Sequence, residues 1–76
     1  MSTDPAVSGK DAAQALRKLG FREDRVEGSH HIFVKDELPH VVVVPVHGSR
    51  TLPSGTLRSI IRAAGLSKKQ FFAALP

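Results

Sequence analysis

Apolar positions along this chain change their spacing twice, and each spacing predicts a different element. Ala12, Ala15, Leu16 and Leu19 recur at i, i+3, i+4 and i+7, which gathers them into one stripe of a helix. Ser8-Gly9-Lys10-Asp11 precedes the stripe as a Ser-x-x-Asp signature, in which the serine hydroxyl caps early amides and Asp11 sits at the positive end of the helix dipole. Gly20 follows and supplies the left-handed conformation that ends helices, so the first helix is predicted over about Gly9 to Leu19. Residues 1–7 read as a flexible leader, and residues 8–76 as a single domain.

Beyond Gly20 the spacing shortens. Phe21 to Val26 is polar but lies between a helix stop and a turn, which suits a short strand at a sheet edge. Glu27-Gly28 makes a tight turn, Ser29 to Lys35 alternates as a strand, and Lys35-Asp36-Glu37-Leu38-Pro39 turns the chain again. The Val-rich run His40 to Val46 forms the third strand, with Pro45 either ending it or lying on an unpaired side, because proline donates nothing to a ladder. Pairing Val34 with Val41 places Ile32 opposite Val43 and His30 opposite Pro45. His47 then falls diagonal to His30 on the same face, about 7–8 Å away, whereas a slip of one residue pairs it with His31.

The helical period returns after the loop His47 to Ser54. Leu57, Ile60, Ile61 and Ala64 form one stripe, Gly65 ends it, and Ser67-Lys68-Lys69-Gln70 is a capping box opening a short last helix with Phe71, Phe72 and Leu75. The predicted order is α-β-β-β-α-α, an α+β two-layer sandwich with helices packed on one face of a three-stranded antiparallel sheet.

A chain of 76 residues hides only about 60% of its unfolded surface, so it holds one small core and no dinucleotide-binding or barrel fold. The absence of cysteine excludes disulfide scaffolds and thiolate zinc sites. The start carries no basic stretch followed by an apolar core, and the longest apolar run, Val41 to Val46, is too short to span a bilayer, so a cytoplasmic protein with no membrane contact is expected. The net charge of +4 is unevenly spread: residues 38–76 hold Arg50, Arg58, Arg62, Lys68 and Lys69 and no acid. That half either faces a polyanion or is solvated surface.

All four histidines, His30, His31, His40 and His47, fall in or beside the meander, and histidine exchanges protons near neutral pH without environmental help. Asp36 and Glu37 read as solvated turn charges. His30 and His31 are consecutive on a strand, point to opposite faces and do not share a site. No metal site and no cofactor is expected. The chain lacks Trp and Tyr, and its four Phe residues sit in apolar positions as core rather than as platforms for bases.

These residues carry a resemblance. Ser8-Gly9-Lys10, then Leu19-Gly20-Phe21, then Glu27-Gly28-Ser29-His30-His31-Ile32-Phe33, then Val43-Val44-Pro45-Val46-His47-Gly48, and finally Gly55 to Ser67 together resemble a HicA toxin. The most specific parts are the Gly-Ser-His segment and Gly55-Thr56-Leu57-Arg58-Ser59-Ile60, while the polar stretch Arg22 to Arg25 departs from the family's more apolar pattern. The resemblance implies a fold like the double-stranded-RNA-binding domain, an endoribonuclease that cleaves messenger RNA, and a HicB-type antitoxin that silences it. It also implies that the histidine after Gly-Ser, His30, is catalytic, and that Gly28 and Ser29 form the turn where RNA backbone approaches.

Cleaving RNA without metal needs a base for the ribose 2′-hydroxyl, an acid for the leaving oxygen and cations for the phosphorane. His30 suits the base. The second group is open, with His47 the first choice, and Lys35 or Arg50 would stabilise phosphate. Arg58 and Arg62, one helical turn apart, are further RNA-phosphate candidates. Two other readings remain at this level: a non-catalytic RNA-binding module of the same fold, and a small domain docking an acidic protein.

Overall fold

The Ser8 hydroxyl accepts from the Asp11 amide at 3.1 Å and starts α1, Gly9–Lys18, in the computed structural model, which describes residues 5–76. Residues 1–4, to which most of the expected leader belongs, lie outside the described residues. The far end of α1 closes as a Schellman motif. The Phe21 amide donates to the Leu16 carbonyl at 2.9 Å and the Gly20 amide to Arg17 at 3.1 Å, with Gly20 at φ 97°. Phe21 and Leu16 are both buried in the core, so the helix stop also fixes where the chain enters the sheet.

Three strands follow as an antiparallel meander in the order β1-β2-β3: β1 Arg22–Glu27, β2 His30–Val34 and β3 Val42–Pro45. β2 and β3 pair His30 with Pro45, His31 with Val44, Ile32 with Val43 and Phe33 with Val42, so the chain adopts the unslipped register. β3 is shorter than the Val-rich run. It starts after a turn in which the Leu38 amide donates to the Lys35 carbonyl at 2.9 Å. Beyond Pro45, the Val46 amide still donates to the Ser29 carbonyl at 2.8 Å. Alternation from that bond puts the missing N–H of Pro45 on the outer side of β3, where no ladder partner is lost.

β1 shows how a polar segment can be a strand. All six of its residues are exposed, it lies at the sheet edge, and a bulge between Glu23 and Arg25 shifts its pairing with β2. The bulge turns Glu23 to the helix side, opposite Phe33, where its carboxylate meets the Arg17 guanidinium at 3.2 Å and His31 Nδ1 at 2.7 Å. Arg22 pairs with Asp36 at 3.2 Å, and Arg25 with Asp24 at 2.7 Å and Glu27 at 2.6 Å. Exposed pairs add little stability each. Their larger effect is a charged, kinked edge that resists pairing with other chains.

The hydrogen bond to His31, helped by Arg17, holds the Glu23 carboxyl below its usual range. A carboxylate with a lowered folded-state pKa contributes stability above its unfolded pKa, and that contribution is lost as pH falls through the folded value. The wild type should therefore show a higher urea midpoint than Glu23→Gln at pH 6, and the gap should close as pH drops below 4.5. A gap that persists at pH 3 would show that the carboxylate charge is not what matters.

α2, Ser54–Ala63, packs on β3, and α3, Lys68–Ala73, packs on α1. Ser67 and Gln70 form the reciprocal capping box of α3, at 3.1 and 2.9 Å. His40 Nε2 lies 2.7 Å from the Ala63 carbonyl at the end of α2, which gives that histidine a capping role. Phe33, Val42 and Val44 project from the helix side of the sheet into a core shared with Leu16, Leu57, Ile60 and Phe71, and all four Phe residues are buried or packed on that core. The order is α-β-β-β-α-α, with helices on one face and the other face open.

Two features lie outside the sequence reading. Val7, the last residue of the expected leader, is 2% exposed; its carbonyl accepts from the Leu52 amide at 2.7 Å, and Ser8 bridges Thr51. The loop before α2 is thus tied to the start of α1. Gly9 is buried against the end of β3, where an added Cβ would overlap the Pro45 carbonyl oxygen and lie 3.1 Å from Val46 Cα.

Candidate functional site

Gly28-Ser29 is the two-residue loop joining β1 to β2, with Glu27 paired to His30 across it. Gly28 has φ 61° and Ser29 does not enter the left-handed region, the pattern of a type II′ hairpin turn, whose first central position favours glycine. An added Cβ at Gly28 would meet nothing within 4 Å, so conformation is what calls for glycine there, and the space above the turn is open.

The alternation of β2 separates the two neighbouring histidines. His31 lies on the helix side beside Phe33, half-buried and bonded to Glu23. His30 is exposed on the open side, in the row with Glu27 and Pro45 and next to that of Ile32 and Val43. His47 lies outside β3, two residues after Pro45, the partner of His30. Its Nε2 is 3.3 Å from Ser29 Oγ.

Gly48, at φ 57°, then turns the chain, and the Arg50 amide donates to the His47 carbonyl at 3.0 Å. His47, Arg50 and Thr56 line one open depression with Pro45, Leu52 and Pro53. Arg50 is exposed and has no ion-pair partner among the described residues. Ser29 thus bonds the His47 imidazole, His47 shares its depression with the unneutralised Arg50 guanidinium, and the exposed His30 opens the strand that follows the turn. Such a set can exchange protons with a phosphodiester and hold its charge.

The other cations selected from the sequence lie elsewhere. Lys35 donates to the Leu19 carbonyl at 3.1 Å and stands 5.2 Å from the centre of the Phe21 ring, capping α1. It follows the far end of β2, about 16 Å from His30 at the rise of a strand. Arg58 borders a second depression with Val7, Leu57, Ile61 and Lys68, and Arg62 is exposed one turn further along α2. The structure thus joins His47 to Ser29 by a hydrogen bond, sets His47 and Arg50 along one depression, pairs His30 with Pro45 of that depression's wall, and leaves Lys35, Arg58 and Arg62 elsewhere.

Sequence reasoning missed the Ser29 to His47 bond and the Glu23 to His31 bond. The first could have been read from the register, which sets residue 29 beside residue 46. The second depends on the bulge in β1, which leaves no signal in the sequence.

Among the described residues no three His, Asp or Glu side chains gather where they could hold a metal ion, and no helix is long and apolar enough to cross a membrane. Comparison with curated proteins gives no match. The family model of the HicA toxin of bacterial toxin-antitoxin systems matches residues 9–66, from the first residue of α1 to just before the cap of α3. That span includes the turn, all three strands, both depressions' main walls and α2. On this match over most of its length, the chain belongs to the HicA toxin family.

Proposed function

We propose that this toxin is a metal-independent endoribonuclease that cleaves messenger RNA in the cytoplasm, with His30 as its general base, and that a HicB-type antitoxin neutralises it. The observation that carries the reading is the placement of His30 beside Pro45 in the ladder, with His47 two residues beyond and Arg50 free next to it. His30 takes the proton of a ribose 2′-hydroxyl, and that oxygen attacks the adjacent phosphorus. The bond from phosphorus to the 5′-oxygen breaks while His47 gives that oxygen a proton. Arg50 offsets the charge that develops on the phosphorane. The products are a 2′,3′-cyclic phosphate and a 5′-hydroxyl. Gly28 and Ser29 let the RNA backbone come close to His30. Lys35, committed to the end of α1, has no part in this scheme.

Arg58 and Arg62 extend the cationic surface along α2 to phosphates further along the strand. If they do, log affinity for RNA should fall linearly with log salt, and Arg58→Ala should reduce the slope by about 0.7–0.9. An affinity that ignores salt would remove these residues from the RNA surface.

The test of the function is incubation of the purified protein with long single-stranded RNA and EDTA, followed by analysis of the product ends. Fragments ending in 2′,3′-cyclic phosphate are expected. A folded protein that binds RNA without cutting it is instead a non-catalytic RNA-binding module of the same fold.

A further inference from the structure

We infer that Ser29 is a positioning residue: its hydroxyl anchors Nε2 of His47, so that Nδ1 is the nitrogen that delivers the proton to the leaving 5′-oxygen. The inference rests on the nuclease reading above and adds to it the residue that orients the acid.

Ser29 is well placed to anchor. It is the second residue of the type II′ turn, it is half-buried, and its carbonyl is fixed by the Val46 amide at 2.8 Å. The neighbour of Val46 is His47, so hydroxyl and imidazole are held on two chain segments already joined by a backbone bond. His47 itself is exposed at the start of a glycine-containing turn, and Ser29 is the polar partner of its ring among the described residues. Without that bond the imidazole would rotate, and a proton donor that rotates is seldom aligned with its acceptor.

The bond also selects a nitrogen. In the charged imidazolium both ring nitrogens are donors, so Ser29 Oγ can only accept, from Nε2–H. Nδ1–H is then free to face the substrate. When the bond from phosphorus to the 5′-oxygen breaks, the Nδ1 proton moves to that oxygen and the ring is left neutral. It still carries Nε2–H, and Nε2–H still donates to Oγ. The anchoring bond is therefore the same before and after proton transfer, and no rearrangement has to accompany the step. His30 differs in lying within β2, where strand pairing sets the face from which its side chain leaves.

The test compares two RNA oligonucleotides of one cleaved sequence. One is ordinary, and in the other the bridging 5′-oxygen at the cut bond is replaced by sulfur, which leaves without needing a proton. Ser29→Ala should lower kcat on ordinary RNA on the order of 10- to 100-fold with KM unchanged, part of the ~10²–10⁴ that a positioned acid supplies. The loss should largely vanish on the sulfur-bridged RNA. Ser29→Thr, which keeps a hydroxyl, should retain most activity on both.

His30→Ala should be impaired on both substrates. An equal Ser29→Ala loss on both would overturn the inference, because a merely structural defect ignores the leaving atom. So would full activity of Ser29→Ala, or a Ser29→Thr variant that melts like the wild type and yet is as impaired as Ser29→Ala. A His30→Ala variant as active as the wild type on both RNAs would instead remove the nuclease reading itself, and the inference with it.

Discussion

His30→Ala should lower RNA cleavage by about 10²–10⁴-fold, the usual contribution of a positioned general base, while RNA affinity and melting temperature stay close to those of the wild type. The reason lies in where the side chain sits. His30 is exposed, faces the open side of the sheet, and makes no side-chain hydrogen bond among the described residues. Removing an exposed, unbonded imidazole changes stability by no more than about 0.5 kcal/mol, so lost activity could not be blamed on unfolding.

His31→Ala is the matched comparison. That side chain is half-buried on the helix side and bonded to Glu23, so its loss should weaken the edge of the sheet and leave the rate almost unchanged. Initial rates on one RNA for the two variants, with melts alongside, separate the roles. The opposite pattern, with His31→Ala inactive and His30→Ala active, would mean that the chemistry occurs on the helix side.

Gly9→Ala should meet the tightest obstacle of any glycine-to-alanine change in this chain. Gly9 lies in the first turn of α1, where alanine would ordinarily favour the helix. Here the new carbon would overlap the Pro45 carbonyl oxygen and crowd Val46 Cα at 3.1 Å. Both obstacles are backbone, so no rotamer change relieves them, and α1 must move away from β3. Overpacking of this kind costs about 1–3 kcal/mol or more. At about 4–8 °C per kcal/mol for a domain of this size, 2–3 kcal/mol would lower the melting temperature by roughly 10–20 °C.

Gly55→Ala is the control. It adds the same methyl group near the start of α2, where nothing lies within 4 Å, and should be neutral or stabilising by up to about 1 kcal/mol. Equal melts for the two variants would show that α1 and β3 can separate at little cost. The strained contact adjoins the residues that lead into His47, so any Gly9→Ala protein that folds should also be slower on RNA.

Much of this arrangement was readable because local signals agreed with the fold. The caps at Ser8 and Ser67 and the stop at Gly20 bracket helices whose apolar stripes leave no other choice. The register of β2 on β3 followed from the turn between them, since a slip of one residue would have turned Val42 and Val44 out to water. From that register came the pairing of His30 with Pro45, two residues before His47.

What the sequence hid depends on tertiary packing. Gly9 reads as part of a helix start, and its role against Pro45 exists only once α1 lies on β3. Val7 reads as leader because a lone valine beyond a helix carries no period. Lys35 reads as a strand-end cation near a histidine strand. Only the fold reveals that Leu19 and Phe21 draw it to the other end of the sheet.

The meander has a kinetic consequence. Each strand pairs with its neighbour in the chain, so both hairpins close through short loops, and the search for partners is brief. The tie between Val7-Ser8 and Thr51-Leu52 is different, because it joins segments far apart in the chain and closes only when the intervening elements have gathered. The hairpin that carries Ser29 and His30 can thus form early, whereas the segment leading into α2 gains its final place late in assembly.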